Sequence, residues 1–155
     1  MIKRLTIGHY RATFTFARIA KVIGVNSELE DGTHVLMWDF DNQVLRDVED
    51  ALRMVQTRYF LSDIHVLCTK EPYNYIAYCF SSQEWRRAVE IVAATPLVDY
   101  QFLRFGVYRS HFTLRVTPKG DREIKFKEIL DGYCLPDCTP LDLKSWVRYE
   151  TLSWR

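Results

Sequence analysis

The sequence predicts an α+β domain in which strand, helix, strand, strand, helix and strand follow one another, forming a split βαβ sheet with helices on one face. Three observations carry this. Residues 35–38, Val-Leu-Met-Trp, are an uncharged run bounded by Asp31-Gly32 and Asp41-Asn42, the pattern of a buried strand ending near Phe40. Residues 44–60 place Val44, Leu45, Val48, Leu52, Val55 and Tyr59 at three- and four-residue spacings with charges opposite, an amphipathic helix. Residues 63–69 and 75–80 are two apolar runs joined by Lys70-Glu71-Pro72-Tyr73-Asn74, a hairpin.

The remaining elements are read in chain order. Phe14, Phe16, Ile19, Val22 and Ile23 suggest a strand running into a helix, and residues 26–32 a polar loop. Ser81 with Glu84 three residues on forms a capping box, predicting a helix through about Ala94. After a Thr95-Pro96-Leu97-Val98-Asp99 loop, the aromatic stretch at residues 100–108 is strand-like. Residues 112–116 alternate as a half-buried strand. From residue 131 onward, Trp146, Leu152 and Trp154 are expected to pack as a satellite on the sheet. This order is that of the ferredoxin-like and RNA-recognition-motif-like folds. Nothing divides the chain, so residues 1–155 read as one domain: a core over 33–120 with flanking extensions at 1–32 and 121–155.

With 155 residues, 48% hydrophobic and 14% aromatic, the composition is that of a globular chain and excludes a disordered tail. The 21 basic and 20 acidic residues nearly cancel, so only local clustering can point to a polyanionic partner. No stretch approaches the about 18 apolar residues of a membrane span. The start, Met1-Ile2-Lys3-Arg4-Leu5, lacks a signal-peptide apolar region, which predicts a cytoplasmic protein with reduced cysteines. Cys134 and Cys138 are spaced CxxxC, but a structural zinc site needs four ligands and no second pair lies nearby.

The chemistry-bearing residues begin with Asp39-Phe40-Asp41. Strand residues two apart share a face, so Asp39 and Asp41 project together while Trp38 and Phe40 face away. Such a pair at a strand end can hold Mg²⁺ or Mn²⁺, which prefer hard oxygen ligands. It can equally serve as a helix cap, with Asp41 or Asn42 opening the helix near Val44. Asp99 follows Leu97-Val98 and can join the same face as a third ligand, or act as a turn residue. Between residues 100 and 119, Arg104, Arg109, His111, Arg115 and Lys119 occur with no acidic residue among them. Guanidinium forks suit phosphate oxygens, and interleaved aromatics can stack on bases.

Val35-Leu36-Met37-Trp38-Asp39-Phe40-Asp41, Leu97-Val98-Asp99 and the basic residues that follow resemble the first and third motifs of the archaeo-eukaryotic primase (primase-polymerase) superfamily. The resemblance implies Asp39, Asp41 and Asp99 as catalytic metal ligands for Mg²⁺ or Mn²⁺. It implies the arginines as contacts to a nucleoside triphosphate or to single-stranded DNA or RNA, and the basic cluster adds His111 and Lys119 to Arg104, Arg109 and Arg115 as candidates for the same contacts. It further implies a role in DNA replication, with proteins such as a helicase as partners, in a small viral or plasmid-type member acting in a prokaryotic or virus-infected cell. The family's Ser-x-His motif is not matched: Asn74 or Tyr75 falls near the serine and Ile76 at the histidine, with His65 and His111 as candidate substitutes. Three functions stay open: a metal-dependent nucleotidyltransferase, a non-catalytic single-strand-binding or replication-initiation module, and a ferredoxin-like regulatory or oligomerisation domain.

Overall fold

The computed structural model describes residues 2–16 and 18–153. The continuous apolar run of the first predicted strand organises its largest sheet. In β4 (His34–Phe40), Val35, Leu36, Met37, Trp38 and Phe40 are fully buried. This strand is followed by α1 (Leu45–Tyr59), β5 (Ile64–Lys70), β6 (Asn74–Gln83) and α2 (Trp85–Ala94). The sheet has strand order β4-β6-β5-β8, where β8 is Lys125–Leu130, and all its pairings are antiparallel. Helix α1 buries Val48, Leu52 and Val55, and α2 buries Ala88, Ile91 and Val92, in one cluster with the strand residues. Trp38 fixes the side on which they pack: its Nε1 donates to Thr95 Oγ1 (2.8 Å), which donates to Ile91 O at the end of α2 (2.9 Å). Gln56, also buried on α1, donates through Nε2 to Ser62 O (3.0 Å) and Leu130 O (2.9 Å), tying the far edge of the sheet to the helix.

A second sheet has the order β7-β3-β9, from β3 (Arg18–Asn26), β7 (Thr113–Arg115) and β9 (Trp146–Ser153). It adjoins the main sheet on the face turned away from the helices, where Val25, Val116 and Trp146 share a cavity with Ile76, Tyr78 and Phe80 of β6. Ser27, fully buried, is the joint between the sheets. Its N–H donates to Phe112 O (2.9 Å), Phe112 N donates to its hydroxyl (3.0 Å), and that hydroxyl bonds His34 Nδ1 (3.0 Å). The remaining two strands, β1 (Ile2–Ile7) and β2 (Tyr10–Thr15), form a separate hairpin. Its register puts Leu5, Ile7, Tyr10 and Phe14 on one face, each more than half exposed, and Arg4, Thr6, Arg11 and Thr13 on the other.

The protein is thus α+β with antiparallel sheets, and the predicted β4, α1, β5 and β6 fall where the sequence placed them. Four local expectations are corrected. Residues 100–108 are not a strand but lie in α3 (Tyr100–Arg109). The Asp99 side chain caps this helix by accepting from Phe102 N (2.7 Å), and Phe102, Leu103 and Gly106 turn inward at helical spacing. Cap and spacing outweigh the aromatic composition. Ser81 does not cap α2. It lies in β6 and bonds Ser62, accepting from its N–H (2.9 Å) and donating to its hydroxyl (2.9 Å), while Glu84 stands at the cap with no side-chain bond. No helix follows Phe14, because residues 18–26 pair with β7 and β9. Residues 113–115 form a strand as expected, but pair with β3. Of the expected satellite, Trp146 and Leu152 belong to β9, and Trp154 lies outside the described residues. Among the described residues, no helix is long and apolar enough to cross a membrane.

Phe112 is fully buried, stacked on Phe102 of α3 (centroids 5.1 Å apart) and tilted against Trp85 of α2 (5.0 Å). Helix α3 comes this close only because Gly106 has no Cβ; one added there would overlap the Phe112 ring. Gly106→Ala is therefore expected to destabilise the fold by about 1–3 kcal/mol through overpacking, read as a lowered urea midpoint with an unchanged slope.

Candidate functional site

Burial of Trp38 and Phe40 on the helix side forces Asp39 to the opposite face, and Asp41 follows it. Both carboxylates line a cleft of about 270 Å³ between the ends of β4, β5 and β6 and the second sheet. The cations lining the same cleft are Lys70, Arg115, Lys119 and Arg122. Asp41 does not cap α1, whose cap residue is Val44 with no side-chain bond; it accepts instead from Asn74 Nδ2. With its amide nitrogen so engaged, Asn74 Oδ1 is buried with no hydrogen-bond donor among the described residues. Three acceptor groups therefore gather where cations approach.

Asp39 is partly buried and lies directly across the β4–β6 pair from Ile76. Burial, with the charges of Asp41 and Asp99 on either side, pushes its carboxyl up to about 7. Arg115 acts in the other direction and does not offset this. Its guanidinium is held by backbone oxygens, Nη2 donating to Thr69 O and Nη1 to Thr117 O (3.0 Å each). Burial lowers the pKa of Lys119, assisted by Arg122 and Arg115, and its Nζ donates to Thr151 Oγ1 (3.0 Å).

Asp99 approaches from the other side. Its backbone N–H donates to Asp39 O (2.8 Å), and its carboxylate is engaged at the N-terminus of α3. It lines a smaller groove of about 170 Å³ with Asp39, Arg109 and His111. Asp39 and Thr113 line both groove and cleft. Among the described residues, no group of three or more His, Cys, Asp or Glu is gathered tightly enough to hold a metal ion. A cation on this face would be held by Asp39 and Asp41, which with the unmet Asn74 oxygen fit a hard divalent ion. Arg109 lies over the Phe105 ring (5.6 Å), and Arg104 is exposed on α3 and lines neither hollow. His65 lines the apolar cavity behind Ile76 and makes an edge contact with Phe80 (5.7 Å). Cys134 and Cys138 each donate to a backbone oxygen, of Phe60 and Phe80 respectively.

Sequence reasoning missed Lys70 and Arg122. Arg122 was accessible to it: the Pro118-Lys119-Gly120-Asp121 turn, with Gly120 at φ 62°, folds Arg122 back to bridge Lys119. Lys70 carries no comparable signal, being one of many strand-end lysines. No protein-family model, curated protein or solved structure matches the chain.

The Asp39 shift has a testable sign. A carboxyl whose folded pKa is raised contributes stability that is full below its unfolded value, near 3.8, and is lost as the pH rises through about 7. Asp39→Asn removes that loss. The variant is expected to melt higher than wild type at pH 8, by no more than about 4 kcal/mol of stability, with the difference vanishing near pH 4. Thermal unfolding followed by circular dichroism across this range checks it.

Proposed function

We propose that this protein is a primase-polymerase-type replication protein whose cleft takes a nucleoside triphosphate together with Mg²⁺ or Mn²⁺. The observation that carries the reading is the meeting of Asp39 and Asp41 with Arg115, Lys119 and Arg122 in one hollow. A carboxylate pair beside a cationic wall suits a metal-bound polyphosphate and little else of comparable size. The β4-α1-β5-β6-α2 order and the β4-β6-β5 pairing support a split βαβ scaffold for it. In this reading Asp39 and Asp41 hold the ion, which supplies charge neutralisation and polarises a phosphoryl oxygen. Arg115, pre-set by its backbone bonds, and Lys119 hold phosphate oxygens. Asp99 positions Asp39 through the backbone bond and adds negative potential beside it. Single-stranded DNA or RNA would approach along the Arg109 and His111 groove.

A second reading, a non-catalytic nucleic-acid-binding module on the same scaffold, is favoured by one observation. Ile76 stands directly across from Asp39, where the resemblance calls for a histidine, so this position offers neither proton transfer nor a phosphate contact. His111 borders Asp39 from the α3 side, and His65 lies behind Ile76 in the apolar cavity.

Calorimetric titration of a triphosphate with and without Mn²⁺ tests the proposal against Asp39→Ala/Asp41→Ala. Wild type is expected to bind only with metal, and the double variant at least about tenfold more weakly. Equal binding by both proteins, or no metal dependence, removes the reading. Primer extension on a single-stranded template then separates enzyme from module: metal-dependent incorporation supports the first, and salt-sensitive strand binding without incorporation the second.

A further inference from the structure

We propose that the apolar cavity beside the carboxylate cleft is a nucleobase pocket, so that one nucleotide spans both hollows, its base against Tyr78 and its phosphates at Arg115 and Lys119. This rests on the cleft being a polyphosphate site. The cavity has a volume of about 330 Å³ and lies between the main sheet and the second sheet. Residues Ile76 and Arg115 line both hollows, so the two adjoin.

The chemistry of its walls points to a flat heterocycle. Tyr78 and Phe80, two residues apart on β6, present nearly parallel rings, 9° between planes and 6.5 Å between centroids. The opposing sheet contributes Trp146, which is 56% exposed and leaves the mouth open. Aromatic surfaces of this kind stack on any base through its π-face. One polar demand stands out. Tyr78 is only 8% exposed, and its hydroxyl is buried with no hydrogen-bond partner among the described residues. Native structures rarely leave such a group unmet. The hydroxyl lies within electrostatic reach of Asp39, Arg115 and Tyr149, at the seam between apolar cavity and charged cleft. A ring nitrogen or exocyclic group of a base meets that hydroxyl; an alkyl chain would leave it unpaired. Ile76 then has a use as the apolar floor where the base passes into the charged cleft.

The experiment compares ATP and CTP with inorganic tripolyphosphate, each with Mn²⁺, by calorimetry and by tryptophan fluorescence, with Trp146→Phe as the optical control. Both nucleotides are expected to bind wild type about tenfold more tightly than tripolyphosphate and to quench a signal absent from Trp146→Phe. Tyr78→Phe, which removes only the hydroxyl, and Val116→Trp, which fills the mouth, are expected to abolish this advantage. Their tripolyphosphate binding is expected to match wild type, a check that both variants fold. Metal-dependent tripolyphosphate binding with no gain from a base, or nucleotide binding untouched by both substitutions, overturns the base pocket and leaves the phosphate site standing. Failure of all three ligands to bind overturns both.

Discussion

The burial of Trp38, whose indole N–H donates to Thr95, sets the orientation of the acidic pair on β4. It locks the largest side chain of β4 beneath the end of α2, inside the core, and a strand has only two faces. Once Trp38 and Phe40 are committed to the helix side, Asp39 has nowhere to point but the other face, with Asp41 two residues on. A slip of one residue would turn both carboxylates into the helix-side core and Trp38 out of it, so the hydrophobic core itself specifies the register of the acidic pair. The same choice places Ile76, Tyr78 and Phe80 of β6 beside them, because β4 and β6 pair with Asp39 opposite Ile76.

The second sheet turns this exposed face into a pair of hollows. Arg115 lies at their boundary, braced by the carbonyls of Thr69 and Thr117 and so spanning from the second sheet to the first. One side of that boundary is charged and the other aromatic. Burial first, and the charges of Asp41 and Asp99 second, hold the Asp39 carboxyl well above its ordinary range, and Arg115 does not offset them.

The central elements were legible because their signals are local and strong. Val35 to Trp38 is uncharged and turn-bounded, α1 repeats at helical spacing over fifteen residues, and Pro72 marks the hairpin. The opposed faces of Trp38 and Asp39 followed from period two alone. Helix α3 was not legible, since Tyr100, Phe102 and Phe105 carry strand propensity and the decisive evidence, Asp99 bonding Phe102 N, is a capping contact that reads equally as a turn. The pairing of β3 with β7 and β9 was beyond reach for a different reason: it joins residues 18–26 to residues 113–115 and 146–153, and no local pattern encodes such separation. For the same reason the contribution of Tyr149 and Thr151 to the cleft emerged only with the second sheet in place.

The β1–β2 hairpin stands apart from this economy of faces. Both of its sides are exposed and, among the described residues, neither outer edge is paired, so it offers an open row of amides beside Leu5, Ile7, Tyr10 and Phe14. Such an edge invites like segments to add strand upon strand. Lys3, Arg4 and Arg11 lie along it with no acidic residue before Glu28. Two copies meeting edge to edge would bring like charge against like charge, so the basic residues oppose such pairing where the backbone is least protected.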